Sequence, residues 1–277
     1  MDGIVIINKP SGITSRDVVN TISKKLNTKK VGHTGTLDPL AEGVLVVCIN
    51  KGTKLVELLT NHEKDYVATV QLGILTDTLD ITGTIIKKEK MVVDKDKLIN
   101  TLNLFNKEYE QTVPAYSAVK INGKKLYEYA RDGINVELPK RLVKISGIEL
   151  LEFDNDSFTF KVHVSKGTYI RSLIKDICDE LGVIGTMSKL VRIKQGEFSL
   201  DDAINIDDDI KITSIDEVLS LLKTIDVDDR LYSKINNGVI YDDNLNDEYI
   251  YFRYHNEPLA LYKREEDHKY HMNQYLK

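Results

Sequence analysis

Asp38 stands in the run Gly32-His33-Thr34-Gly35-Thr36-Leu37-Asp38-Pro39-Leu40-Ala41-Glu42-Gly43, which gathers three glycines, a histidine and two acids ahead of an apolar stretch. Loops carried by rigid elements commonly hold sites. The run lacks the Lys-Ser/Thr ending of a phosphate-binding loop, and one histidine without a second at i+4 is a poor metal ligand. What remains is a carboxylate acting as nucleophile or base, although an Asp-Pro pair is also an ordinary turn former. A carboxylate removed from water stays ionised when a cation pairs with it. Arg171, in Ser165-Lys166-Gly167-Thr168-Tyr169-Ile170-Arg171, is the partner this predicts. Tyr66, in Lys64-Asp65-Tyr66, and Asp80, in Thr76-Asp77-Thr78-Leu79-Asp80-Ile81-Thr82-Gly83, are two further polar groups, each also readable as ordinary turn or strand material.

These residues need elements to position them. Gly3 to Asn8 reads as a strand ended by the Pro10-Ser11-Gly12 turn, and Ser15 as the cap of a helix with Val18, Val19, Ile22 and Leu26 on one face. Gly32 to Gly43 is expected to be a loop, followed by a buried strand from Val44 to Ile49 and a short helix from Lys54 to Leu59. Tyr66 to Leu72 alternates as a strand. Helices are predicted over Asp94 to Asn106, Lys124 to Arg131 and Thr168 to Leu181, the last stopped by Gly182 and placing Tyr169 and Arg171 in its first turn. Val143 to Phe153 and Phe158 to Val164 are β-rich. Strands and helices do not alternate as in a doubly wound sheet, so the expected class is α+β with a mixed, largely antiparallel sheet and flanking helices. The acidic stretch Asp201 to Asp229 marks the expected boundary between a catalytic unit, 1–229, and a small β-rich C-terminal module, 230–277. That module has strand candidates at Tyr249 to Tyr254 and Leu259 to Tyr262, too little for a core unless it docks on the larger unit.

Composition narrows the partners. With 42% hydrophobic and 29% charged residues the chain reads as globular, and no apolar run approaches the roughly 18 residues of a membrane span. Cys48 and Cys178 sit in apolar contexts without metal-site spacing, so a reducing, cytoplasmic location without anchor or secretion is expected. The net charge of −5 hides an uneven distribution: residues 1–200 carry 29 basic and 25 acidic side chains, residues 201–277 carry 9 and 18. The clusters Lys24 to Lys30 and Lys120 to Lys144 offer surface for a polyanion, or are simply solvated lysines.

Four motifs together carry a resemblance: GHTGTLDPLAEGVL, LGxxTDTxDxxG from Leu72 to Gly83, KKLYEYAR from Lys124 to Arg131, and SKGTYIRSL. In this order, over roughly residues 3–200, the chain resembles the TruB family of tRNA pseudouridine-55 synthases. The resemblance implies the pseudouridine synthase fold and an isomerase without cofactor or metal, which detaches uracil from C1′, rotates it and rejoins it through C5. Asp38 corresponds to the catalytic aspartate, acting at C1′ or at C6. Tyr66 corresponds to the active-site tyrosine that stacks on uracil, and Arg171 to the residue that pairs with Asp38 and holds its pKa low. Tyr169 would border the base pocket and Leu190 form an apolar wall. His33 matches the residue that fills the gap when the target nucleotide flips out, and Asp80 an acid at the rim that positions substrate. Lys9 supports the catalytic loop or contacts a phosphate. The implied partner is the T-arm of tRNA, bound by a monomer through shape and phosphate. Family members commonly carry a PUA-like C-terminal module. Residues 230–277 are short, acidic and without a glycine-rich motif, as in a reduced version of it.

Two other functions use the same residues. A carboxylate-dependent nucleoside hydrolase would need a second carboxylic acid about 5 Å from Asp38. A non-catalytic tRNA-binding or tRNA-folding module would keep the surface and dispense with turnover.

Overall fold

In the computed structural model, which describes residues 1–266 and 268–277, the first apolar run forms β1 (Gly3–Lys9) and the Pro10–Gly12 turn leads into α1 (Ser15–Lys25). Thr14, not Ser15, caps this helix. Its hydroxyl accepts from Asp17 N while the Asp17 carboxylate accepts from Thr14 N, a reciprocal box that needs the acid three residues after the cap. Ser15 is instead buried against a distant loop.

The expected loop from Gly32 to Gly43 is shorter, because β2 (Val31–His33) pairs antiparallel with β3 (Glu42–Ile49) and sets His33 opposite Val47. A 3-10 turn and α2 (Val56–Thr60) follow, then β4 (Lys64–Leu72). Burial along β4 alternates strictly, so Lys64, Tyr66, Ala68, Val70 and Leu72 share the inner face. A hairpin of β5 (Ile74–Thr76) and β6 (Ile85–Lys88) leads to α3 (Lys95–Leu104), capped by Asp94. Next come β7 (Glu108–Thr112), the small pair β8 (Lys120–Ile121) and β9 (Lys124–Lys125), and α4 (Leu126–Arg131). The long hairpin of β10 (Lys140–Phe153) and β11 (Ser157–Val164) precedes α5 (Ile170–Leu181), which Gly182 terminates at φ 72°.

The sequence offered no sign of β12 (Gly185–Gln195), yet it lies in the middle of the large sheet, antiparallel to β4 and parallel to β3. Short strands β13 (Phe198–Ser199), β14 (Ile204–Asn205) and β15 (Thr213–Ser214) complete an eleven-stranded sheet whose main path runs β14-β1-β3-β12-β4-β11-β10-β7. Among the described residues, only β1–β14 and β3–β12 of this sheet's strand pairs are parallel, so the sheet is mixed and largely antiparallel, as expected. Helices α1, α3 and α5 bury their apolar stripes on one face.

The other face, behind β1 and β3, packs against α2, α6 (Ile215–Leu219), two residues of a second sheet, Tyr251 and Leu261, and Leu276 just past its last residue. That five-stranded sheet runs β16 (Lys223–Asp226), β18 (Tyr249–Tyr254), β19 (Glu257–Glu266), β20 (Lys269–Tyr275), β17 (Tyr241–Asp242), with α7 (Asp229–Asn236) laid against it. The expected boundary at 229/230 falls between β16 and the rest of its own sheet. Among the described residues no helix is long and apolar enough to cross a membrane.

Candidate active site

The segment from Thr34 to Ala41, between β2 and β3, is pinned from two sides. The Ser15 hydroxyl accepts from Leu37 N at 2.8 Å and donates to Leu37 O at 3.1 Å. Gly12 N donates to Pro39 O at 2.8 Å, and Ser11 Oγ to Leu40 O at 2.9 Å. Beneath them lies Lys9, fully buried, its Nζ donating to Pro10 O, Ile13 O and Pro39 O at 2.8, 2.8 and 3.3 Å. All three contacts go to backbone carbonyls of the turn and the loop, an arrangement suited to the support of the loop, the first of the two roles expected for Lys9. Burial lowers its ammonium to about 8, partly offset by the charges of Asp38 and Glu42.

Asp38 emerges from this braced loop to meet Arg171. Nε of Arg171 lies 2.8 Å from Asp38 Oδ2 and its Nη2 donates to Oδ1 at 3.2 Å. The same guanidinium donates from Nη1 to Thr78 O at 2.9 Å and from Nη2 to Tyr116 O at 3.0 Å, and it is 3.9 Å from Asp80 Oδ2. The expectation that Arg171 holds Asp38 low needs correction. Burial raises the carboxyl above its ordinary value, Arg171 pulls it down, Asp80 pushes it up again, and the balance is upward. Local geometry also differs from expectation. Gly167 turns the chain at φ 81° and Tyr169 is the extended N-cap of α5, so only Arg171 of the two lies inside the helix.

Around the pair opens a cleft of about 1220 Å³, whose walls include Asp38, Tyr66, Asp80, Tyr169, Arg171 and Leu190. Six of the eight predicted site residues therefore converge. Tyr66 and Leu190 project from β4 and β12, and Tyr169 is fixed by a hydrogen bond from its N to Gln111 Oε1 at 2.8 Å. Asp80 is held within its own turn, Oδ1 accepting from Thr78 Oγ1 at 2.9 Å and Thr82 N at 3.0 Å. His33 stands just outside the lining, at the end of β2, its Nδ1 accepting from Gly35 N at 3.3 Å. Burial, with Arg16 and Arg192 nearby, lowers its pKa and favours the neutral ring. Lys9 is the other residue outside the lining.

Sequence reasoning passed over several groups that line the cleft. Lys64 was visible in Lys64-Asp65-Tyr66, and the period of two that points Tyr66 inward points Lys64 the same way. Arg192 and the segment Tyr116–Val119 gave no local signal.

Comparison with known proteins agrees with the motifs. Residues 23–170 match the model of the TruB family pseudouridylate synthase N-terminal domain. The chain is 47% identical over 219 residues to tRNA pseudouridine synthase B of Alkaliphilus oremlandii, covering 79% of this chain and 73% of that one. It is 43% identical over 246 residues to tRNA pseudouridine synthase B of Clostridium tetani, covering 86% and 85%. Among solved structures it is similar to a chain of a Cbf5-Nop10-Gar1 complex, with a TM-score of 0.73 and 28% identity over 96% of this chain and 79% of that one. With four motifs in order and most of its length shared with such relatives, the chain belongs to the TruB family of pseudouridylate synthases.

Proposed function

We propose that the protein is a tRNA pseudouridine synthase that converts uridine 55 of the T-loop to pseudouridine in the cytoplasm, acting as a monomer through Asp38. The observation that carries this is the two-pronged Asp38–Arg171 pair on the wall of a cleft large enough for a nucleotide. The N1–C1′ bond breaks, the uracil turns, a C5–C1′ bond forms, the C5 proton leaves and N1 takes up a proton. Nothing is gained or lost overall, so no co-substrate or cofactor is required. Asp38 acts as nucleophile at C1′ or C6, and Arg171 opposes the upward pull of burial on its carboxyl and aims it. Tyr66 stacks on the uracil, Leu190 and Tyr169 wall it in, and Asp80 positions the substrate while keeping its neighbouring turn in place. The target base lies inside a folded loop and must be extruded, at roughly a few kcal/mol of unstacking. The neutral His33 ring, one residue before the cleft residue Thr34, takes the vacated place.

A hydrolase is the weaker reading. Among the described residues Asp80 is the only other acid lining the cleft, and its Oδ1 is committed to Thr78 and Thr82. The test uses tRNA transcript tritiated at C5 of uridine. Release of one tritium per tRNA by the wild type, and none by Asp38→Asn, is expected. Tight binding without release would return the protein to the class of RNA-binding modules.

A further inference from the structure

The cleft carries more positive charge than the Asp38–Arg171 pair uses. Its ionisable lining comprises two acids, Asp38 and Asp80, and six bases, of which Arg171 is committed to Asp38. Lys64, Lys166 and Arg192 belong to no ion pair among the described residues, although Lys64 and Arg192 are only 8% and 1% exposed. Arg192 is the β12 partner of Tyr66, and Lys64 precedes Tyr66 by two residues on the same face of β4. Both reach beneath Gly35 of the catalytic loop, where a Cβ would lie 3.4 Å from Arg192 Nη1 and 3.8 Å from Lys64 Cε.

Their hydrogen bonds go to neutral carbonyls. Arg192 donates from Nε to Val44 O at 2.7 Å and from Nη2 to Gly35 O at 3.2 Å. Lys64 donates to Thr60 O at 3.0 Å and His62 O at 2.6 Å. Arg192 Nη1 and one Lys64 proton remain unspent. Burial, reinforced by Arg192 and Lys166, lowers Lys64 to about 8, as befits a cation without a counter-ion. Lys166, bonded to Asn61 Oδ1 at 3.1 Å, completes the group from the exposed side. Desolvated cations held only by carbonyls are costly, and an arriving anion relieves that cost.

We propose that Lys64, Arg192 and Lys166 form a phosphodiester subsite, separate from the Asp38–Arg171 ion pair, that takes the RNA backbone phosphate next to the target uridine. The assignment rests on the pseudouridine synthase reading and adds an orientation to it. Because Asp38 is already paired with Arg171 while Lys64, Arg192 and Lys166 have no counter-ion among the described residues, a nucleotide enters with C1′ toward Asp38 and its phosphate toward Lys64.

The test uses a T-arm stem-loop RNA, either unmodified or with one uncharged methylphosphonate on the 5′ or the 3′ side of the target uridine. Dissociation constants of the wild type, Lys64→Met and Lys166→Met are measured across a salt series. Each variant should bind the unmodified RNA roughly 10-fold more weakly and flatten the log–log salt slope by about 0.7. One methylphosphonate position should cost the wild type a similar factor and cost the variants nothing further. Lys64→Met should also melt at or above the wild-type temperature, because it removes a buried unpaired charge. Wild-type affinity and slope in both variants would overturn the subsite. So would losses that multiply with those of both methylphosphonates, or a lowered melting temperature in Lys64→Met with an unchanged slope. Wild-type protein that shows the expected binding pattern yet releases no tritium would instead sink the functional reading and leave the subsite standing.

Discussion

Arg171 meets Asp38 side-on, through Nε at 2.8 Å and Nη2 at 3.2 Å, and spends its remaining reach on the carbonyls of Thr78 and Tyr116. One buried side chain thus joins three separate segments: the catalytic loop, the turn between β5 and β6, and the segment after β7. Arg171→Lys keeps the charge but cannot reproduce four donors in a planar fork. The expected result is a single-turnover rate lower by about 1000-fold. Stability should fall by roughly 2 kcal/mol, less than for a fully buried pair because the Asp38 side chain is 34% exposed. Retention of rate and melting temperature would show that charge alone suffices at this position.

The upward balance at Asp38 has a pH consequence. Burial is the largest cause and Asp80 adds to it. If the ionised carboxylate is the working form, activity falls on acidification at a higher pH than an ordinary aspartate would give. Asp80→Asn removes a like charge and should move that acid limb downward, whatever it does to KM. For folding the sign is opposite. A carboxyl raised in the native state costs nothing below its unfolded pKa, and stability contributed by this group declines as pH rises from the unfolded to the folded value. A pH–rate profile of wild type and Asp80→Asn under single-turnover conditions decides the point, and coincident acid limbs would remove Asp80 from the electrostatics of Asp38.

Thr14 and Ser15 are adjacent hydroxyls with different tasks. Thr14 closes the capping box of α1 at the surface, whereas Ser15 makes two bonds to Leu37 one residue before Asp38. Thr14→Ala and Ser15→Ala should each cost about 1 kcal/mol of stability. Only Ser15→Ala should lower the single-turnover rate while leaving tRNA affinity near wild type. Equal rates for the two variants would mean that Leu37 is held well enough by the rest of the loop.

That pair also illustrates what the sequence reveals and what it hides. Helix α5 and strand β4 were legible because Ile170, Leu173, Ile174, Ile177 and Leu181 keep the helical period and Tyr66 to Leu72 keep the strand period. Strand β12 was not, because register shifts between Met187 and Lys189 and between Arg192 and Lys194 break the alternation, and the two long strands it lies between, β3 and β4, are more than a hundred residues away. His33 belongs to a strand of three residues, too short to show a period. The motifs brought out Asp38, Tyr66 and Arg171 as a set. The burial that raises Asp38 and encloses Lys9, Lys64 and Arg192 depends on long-range packing, which no local pattern encodes.

The docking of the smaller sheet leads to a last prediction. Tyr251, Leu261 and Leu276 pack with Ile4, Val46 and Val218 of the larger unit, and Tyr251 Oη donates to Asp216 Oδ1 at 2.8 Å. Ending the chain after Asp229 would remove these residues and also strip β16 of its partner β18. Apolar groups at the back of β1 and β3 would then face water, at about 25 cal/mol for each Å² exposed. The truncated protein should melt at least 10 °C lower and aggregate more readily, since newly exposed apolar surface favours association. Its single-turnover rate at low temperature should stay within a few-fold of the full chain, because among the described residues none that lines the cleft lies beyond Arg192. Comparable melting of the two forms would establish residues 1–229 as an independent domain, and loss of rate in a truncated form that remains folded would place part of the tRNA contact on the smaller sheet.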